Sequence, residues 1–246
     1  MAQKIRVGAV SYLNTKPLIY GFEQGKMKEE IDLVIDYPAN IAALLQNKEI
    51  DIGLVPVAVI PKLKEHYIIS DYCIGCDGEV ASVCLFSDIS LDKIETILLD
   101  YQSKTSIALL KILLKEHWNI SPKLVTGTGN YEKDITGTTA GLVIGDRALN
   151  QRSRSKYIYD LGHAWKEMTG LPFVFATWVS NKKIPPDFIM AFNEANEFGL
   201  NNLDEVIRQN PNTVFDLRRY YTEFVKFKLD FQMQAAKALF LRKINP

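Results

Sequence analysis

Short apolar runs and helix-period stretches alternate along the first part of the chain. Residues 5–10 run apolar and read as a buried strand. Thr15 can cap and Pro17 suits a first helical turn, so a helix is predicted over 17–22. Residues 31–36 form the next strand, and Pro38 and Asn40 open a helix through Gln46. A third strand covers 51–57, with a short helix near Pro61. This β-α-β-α-β order predicts a parallel sheet.

Residues 67–87 are rich in β-branched and aromatic side chains and read as two strands joined near 75–78. Another buried strand is expected at 96–100. Ser103, Lys104, Thr105 and Ser106 then open a helix whose apolar face holds Ile107, Leu110, Ile112, Leu113 and Leu114. Further strands are predicted at 123–126, 141–144, 156–159 and 173–180, with a helix over 161–169 stopped by Gly170. Beyond Pro185 the pattern is helical, over 186–200, 203–209, 213–221 and 231–242.

No repeat, low-complexity tract or Pro/Gly linker divides the 246 residues. The expected arrangement is therefore discontinuous, with 1–86 plus 176–246 in one lobe and 87–175 in the other. Strand-like crossings near 86–89 and 175–179 would join them and absorb hinge motion. A central ligand cleft is expected beyond the C-terminal strand ends.

Composition narrows the function. Lys+Arg and Asp+Glu both count 29, which leaves no cationic excess for nucleic acid. Arg152, Arg154 and Lys156 form a small basic group that reads as a solvated loop. The chain enters its first strand without a signal-peptide core, and no apolar run is long enough to span a bilayer. A cytoplasmic protein with no membrane partner is expected.

Cys73 and Cys76 have CxxC spacing but lie in a strand-like stretch rather than at a helix N-terminus, so packed thiols are expected. The histidines His66, His117 and His163 are scattered. Neither a GxxxxGK[ST] phosphate loop nor a GxSxG elbow occurs, and Gly127-Thr128-Gly129 lacks the third glycine of a dinucleotide fingerprint. No cofactor is expected.

Three segments put small polar residues just past a strand: Ser11 to Leu18, Gly78 to Val83, and Asp100 to Ser106. The first and third open helices, whose free N–H groups receive anions. Ser11, Tyr12, Ser103, Thr105 and Ser106 are thus candidate binding residues, as is Gly145 after the strand at 142–144. Asp146 either caps the next helix or faces the cleft.

The segments VSYLNTKPL (10–18), GEVASVCLFS (78–87), LVIGDRAL (142–149) and YDLGHAWKEMTGLPFVFATW (159–178), in that order, resemble the chorismate dehydratases of the futalosine route to menaquinone. The likeness implies an α/β, two-lobed fold of the type II periplasmic-binding-protein kind, used by an enzyme without a cofactor. It implies loss of water from chorismate to give 3-[(1-carboxyvinyl)oxy]benzoate. By motif position it makes Asn14 and Ser82 catalytic and has Thr105 and Ser106 hold a carboxylate. The base would be the substrate's own enolpyruvyl carboxylate, with Asp146 and Glu79 as the competing choices. Alternatives are the sibling dihydroxynaphthoate-forming enzyme of the same route and a non-enzymatic small-anion binding protein.

Overall fold

The computed structural model describes residues 4–245 and contains two mixed sheets. Strand β1 (Ile5–Val10) lies parallel between β2 (Ile31–Asp36) and β3 (Ile52–Pro56). Helix α1 (Lys16–Glu23) makes the β1–β2 connection and α2 (Pro38–Gln46) the β2–β3 connection, as the sequence pattern predicts. The sheet is completed by β4 (Tyr67–Cys76), β10 (Phe173–Ser180) and a short edge strand, β11 (Lys226–Lys228). Its order is β11-β4-β10-β3-β1-β2, with β10 antiparallel to both neighbours.

The second sheet holds β5 (Val83–Ser87), β6 (Thr96–Leu99), β7 (Lys123–Thr126), β8 (Thr139–Ile144) and β9 (Tyr157–Asp160), in the order β7-β6-β8-β5-β9. Helices α3 (Lys104–Glu116), α4 (Gly145–Gln151) and α5 (Leu161–Thr169) belong to this half of the chain. After β10 come α6 (Pro186–Leu200), α7 (Leu203–Gln209), a single turn α8 (Leu217–Arg219) and α9 (Phe231–Ile244).

Both strands expected within 67–87 are present, β4 in the first sheet and β5 in the second. Two expectations need correction. The chain passes between the sheets after Cys76 and before Val83, and returns between Asp160 and Phe173. The segments expected as strand-like crossings, 86–89 and 175–179, instead pair within a single sheet, Phe86 with Gly141 in β8 and Ala176 with Pro56 in β3. Both β4 and β5 are apolar and largely buried, so periodicity carries no information about their partners. Second, the helix expected over 213–221 is cut short. The Asn212 carboxamide oxygen accepts from the Val214 and Phe215 N–H groups at 2.8 and 2.9 Å, a local turn that competes with helix. The helix starts only at the Asp216 cap and passes into a π-helical turn, Tyr220–Phe224.

Aromatic packing anchors both halves. Trp178 packs edge-on against Phe22 and Phe192, and its indole N–H donates to Asn196 at 2.9 Å. Trp165 meets Phe173 and Phe240, with its N–H on the Pro172 carbonyl at 2.9 Å. Helices α1 and α6 approach at backbone distance, since a Cβ on Gly199 would lie 1.8 Å from the Pro17 oxygen.

The start of β1 is pinned to Asp51. Its carboxylate accepts from the Arg6 backbone N–H at 2.9 Å and from Lys182 Nζ at 2.9 Å, and it pairs with the Arg6 guanidinium at 3.2 Å. Burial alone would push the carboxyl up, but the Arg6 and Lys182 bonds outweigh it and hold it at about 2, against an ordinary 3.8. A depressed folded pKa stabilises the fold above the unfolded value, and that stability is lost as pH falls through about 4 toward about 2. The stability gap between wild type and Asp51→Asn should accordingly shrink by about 2 kcal/mol between pH 6 and pH 2. Urea unfolding at stepped pH measures it, and a gap independent of pH would show that the pairing is not formed.

Candidate functional site

A narrow cleft with a volume of about 60 Å³ opens between the two sheets, a common place for ligand sites. Its walls come from the ends of β1, β3 and β8, from the 80–83 crossing and from the start of α3. Val10, Ile74, Ile144 and Phe175 make it apolar. Its polar lining is Tyr12, Asn14, Ser82, Ser103 and Ser106, with Gly145 beside them. No Asp, Glu, Lys, Arg or His lines it among the described residues.

Asn14 sits in a 3-10 turn, Leu13–Thr15, between β1 and α1. Both backbone polar groups of the preceding residue are held: the Leu13 N–H donates to Asp146 Oδ1 at 3.1 Å, and the Leu13 carbonyl accepts from the Tyr221 hydroxyl at 2.9 Å. Asp146 is thus committed to the Asn14 loop and does not line the cleft. Burial pushes its carboxyl above the usual range, against the pull of the Leu13 N–H and Lys16.

The Tyr12 ring lies flat on Gly145, where an added Cβ would come within 3.2 Å of three ring carbons. Gly145 also has φ of +63°, so it suits glycine on two counts. The Tyr12 hydroxyl bonds to the Gln102 carboxamide, which also accepts from Arg147 at 3.3 Å. Arg147 in turn bridges Asp100 at 2.6 Å and Glu132 at 2.7 Å. Burial, followed by the Asp100 charge, raises the Tyr12 phenol, which keeps it neutral and a donor.

Ser82 ends the first crossing. The preceding Ala81 has φ of +63°, a left-handed conformation that costs a residue with a Cβ. The Asp160 carboxylate holds this geometry by accepting from Val80 N–H at 3.1 Å and Ala81 N–H at 2.8 Å. The same carboxylate caps α5 through the Gly162 and His163 N–H groups at 2.9 and 3.1 Å. Arg152 donates to the Ala81 carbonyl at 3.1 Å, so it is not the solvated loop residue expected from its charged neighbours.

On the opposite wall, Ser103 caps the thirteen-residue helix α3. Its oxygen accepts from the Ser106 N–H at 3.1 Å, and the two hydroxyls are 2.8 Å apart.

The structure brings Tyr12, Asn14, Ser82, Ser103, Ser106 and Gly145 together and leaves four expected residues aside. Thr105 points into the protein, where its hydroxyl accepts from the Ala58 N–H at 3.1 Å. Its place in the first turn of α3 turns its side chain away from the cleft while Ser106 faces in. Ser11 is exposed, with its N–H on the Asp36 carbonyl at 3.1 Å. Asp146 is spent on Leu13. Glu79 is exposed on the crossing.

Sequence reasoning missed Gln102, Asp160, Tyr220 and Tyr221. The Tyr220 hydroxyl lies 2.7 Å from Ser82 Oγ. Asp160 carried one readable signal, an acidic residue just before a helical stretch. Cys73, Cys76 and Cys84 are buried and unbridged, and burial pushes all three thiols up. Among the described residues, no group of three His, Cys, Asp or Glu side chains is placed to hold a metal ion, and no helix is long and apolar enough to cross a membrane.

A family profile described as menaquinone biosynthesis matches residues 5–245. The chain belongs to this family. It is 30% identical over 220 residues to the chorismate dehydratase of Thermus thermophilus, covering 81% of this chain and 79% of that one. The resemblance carried by the four segments is thus borne out over nearly the whole chain. In fold it is similar to protein AF1704 from Archaeoglobus fulgidus, with TM-score 0.76, 15% identity and coverage of 98% and 97%. It is also similar to the periplasmic aliphatic sulphonate binding protein SsuA from Escherichia coli, with TM-score 0.66, 11% identity and coverage of 100% and 91%. The expected α/β periplasmic-binding-protein-like fold is therefore present.

Proposed function

We propose that this menaquinone-family chain is a chorismate dehydratase, a cofactor-independent hydro-lyase that forms 3-[(1-carboxyvinyl)oxy]benzoate and water. One observation carries the reading: among the described residues, the cleft between the two sheets is lined by hydroxyls, an amide and a helix start, with no side-chain charge. Chorismate has two carboxylates, which neutral donors and a helix N-terminus can receive. Ser106 accepts from Ser103 and so has its own hydrogen free for an anion. Ser82 faces it from the other wall.

The reaction breaks the C–H bond at the carbon bearing the enolpyruvyl ether and the C–O bond to the neighbouring hydroxyl. The electron pair left by the proton completes the aromatic ring as hydroxide departs, and proton and hydroxide leave as water. Substrate and products stand at the same oxidation level, so no redox partner is needed. The proton is activated because its carbanion delocalises through the ring diene to the ring carboxylate.

Since no lining residue is an effective base near neutral pH, the enolpyruvyl carboxylate takes the proton, helped by its tethered position. Asn14 orients that carboxylate and stabilises the departing hydroxyl. Chorismate as substrate supports a cytoplasmic location. The lobes of this reading divide at the crossings after Cys76 and before Phe173. Tyr12–Gln102, Leu13–Asp146 and Ala58–Thr105 are the bonds that latch them closed.

The test is turnover of chorismate by purified protein after exhaustive chelation and desalting, followed by growth of the aromatic product's absorbance. Full activity is expected. Activity that vanishes and returns only with added metal or nucleotide would refute cofactor independence, and no turnover under any condition would refute the substrate.

A further inference from the structure

Tyr220 is buried, in contact with the cleft's polar lining, and has no part in the chemistry above. It opens the π-helical turn Tyr220–Phe224, a distortion often found at functional sites. The turn sends two consecutive tyrosines to different parts of the site: Tyr221 to the Leu13 carbonyl at 2.9 Å, Tyr220 to Ser82 Oγ at 2.7 Å. The Tyr220 ring is fixed edge-on against Phe215, with centroids 5.9 Å apart. The Asn14 amide also lies near its hydroxyl.

Two hydroxyls that share one hydrogen bond must divide the roles of donor and acceptor. A phenol is far more acidic than an aliphatic alcohol, so the phenol donates. Ser82 Oγ then accepts from behind, and its own hydrogen is left to point into the cleft. That polarity matters, because an anion needs a donor and is repelled by a lone pair. Without the phenol, Ser82 is free to turn its hydrogen toward a protein acceptor.

We infer that Tyr220 is a positioning residue: it donates to Ser82 and thereby commits the Ser82 hydroxyl to donating toward a substrate carboxylate. The inference rests on the dehydratase reading for its substrate, but not for its geometry.

A double-mutant cycle tests it. Tyr220→Phe keeps the ring and removes only the hydroxyl. It should lower kcat/KM for chorismate roughly tenfold, the effect of one hydrogen bond on a charged partner's donor. In a Ser82→Ala background the same change should cost nothing, because the group it acts through is gone. Equal losses in both backgrounds, or none in wild type, would overturn the inference. Replacing Tyr220 by 3-fluorotyrosine, which keeps and acidifies the hydroxyl, should retain activity, and a loss as large as that of Tyr220→Phe would count against it. A readout without substrate separates this inference from the dehydratase reading. Calorimetric binding of benzoate, a carboxylate probe that needs no turnover, should weaken severalfold in Tyr220→Phe but not when the same change is made in Ser82→Ala, whereas unchanged binding overturns the positioning role. Wild-type protein inert toward chorismate would sink the proposed function and leave the benzoate result standing.

Discussion

Asn14→Ala should lose roughly 10²–10³-fold in kcat, the usual loss when one well-aimed transition-state donor is removed. Among the described residues the amide is the one group of its kind in the cleft lining, and the structure invests in its position. Asp146 holds the Leu13 N–H, Tyr221 holds the Leu13 carbonyl, and both side chains come from far along the chain. The loss should be larger in kcat than in substrate binding, because Asn14 orients a carboxylate already present in the ground state but meets the charge of the departing hydroxide only in the transition state.

The competing view makes a protein carboxylate the base. Asp146→Asn keeps an oxygen for the Leu13 N–H, and Glu79 is exposed, so Glu79→Gln disturbs no packing. On the substrate-assisted route both variants turn over with an unaltered pH profile. Abolished turnover in either, with fold and binding intact, would assign the base to the protein.

Asp160→Ala should be the most damaging change to stability. The carboxylate receives four backbone N–H groups, from Val80, Ala81, Gly162 and His163, and truncation orphans them together. Burial pushes this carboxyl up, while those same N–H groups favour its charged form. Losing a buried acceptor of this kind costs about 3–5 kcal/mol. For a chain of this size that corresponds to a fall in Tm on the order of 10 °C. Activity should fall further than stability, because Ala81 then relaxes from its positive φ and carries Ser82 with it. Asp160→Asn keeps one acceptor oxygen and should recover part of the loss. Calorimetry of both variants checks this, and a Tm unchanged in Asp160→Ala would mean that the crossing is held by something else.

The regular elements were legible where local physics decides them. Strand β2, helices α2, α5 and α6, and the stop at Gly170 all fall where periodicity, proline and caps put them. Sheet membership was not legible. Nothing in two adjacent apolar strands says that one pairs with β10 and the other with β8, because that choice is made by residues distant in sequence. The site followed the same division. Asn14, Ser82, Ser103 and Ser106 stand just past strands or at helix starts, so their places could be read locally. Thr105 was misassigned because one helical step separates facing the cleft from facing Ala58. Tyr220 and Tyr221 were missed because a π-helical turn in the C-terminal segment has no apolar period to announce it.

The placement of β10 also bears on biosynthesis. β3 ends at Pro56 and β4 at Cys76, yet the strand that bonds to both begins only at Phe173. During translation the first sheet therefore waits, with two apolar edges open, while the entire second sheet is made. Open edges of that kind are templates for association between nascent chains. The second sheet needs no strand from outside residues 83–160 and can form first. Closing so long a loop is slow, and the docking of β10 should be a late folding step, followed by β11 on the free edge of β4. Chains truncated before Phe173 should therefore engage chaperones or aggregate, whereas chains that carry β10 and the segments after it complete the sheet.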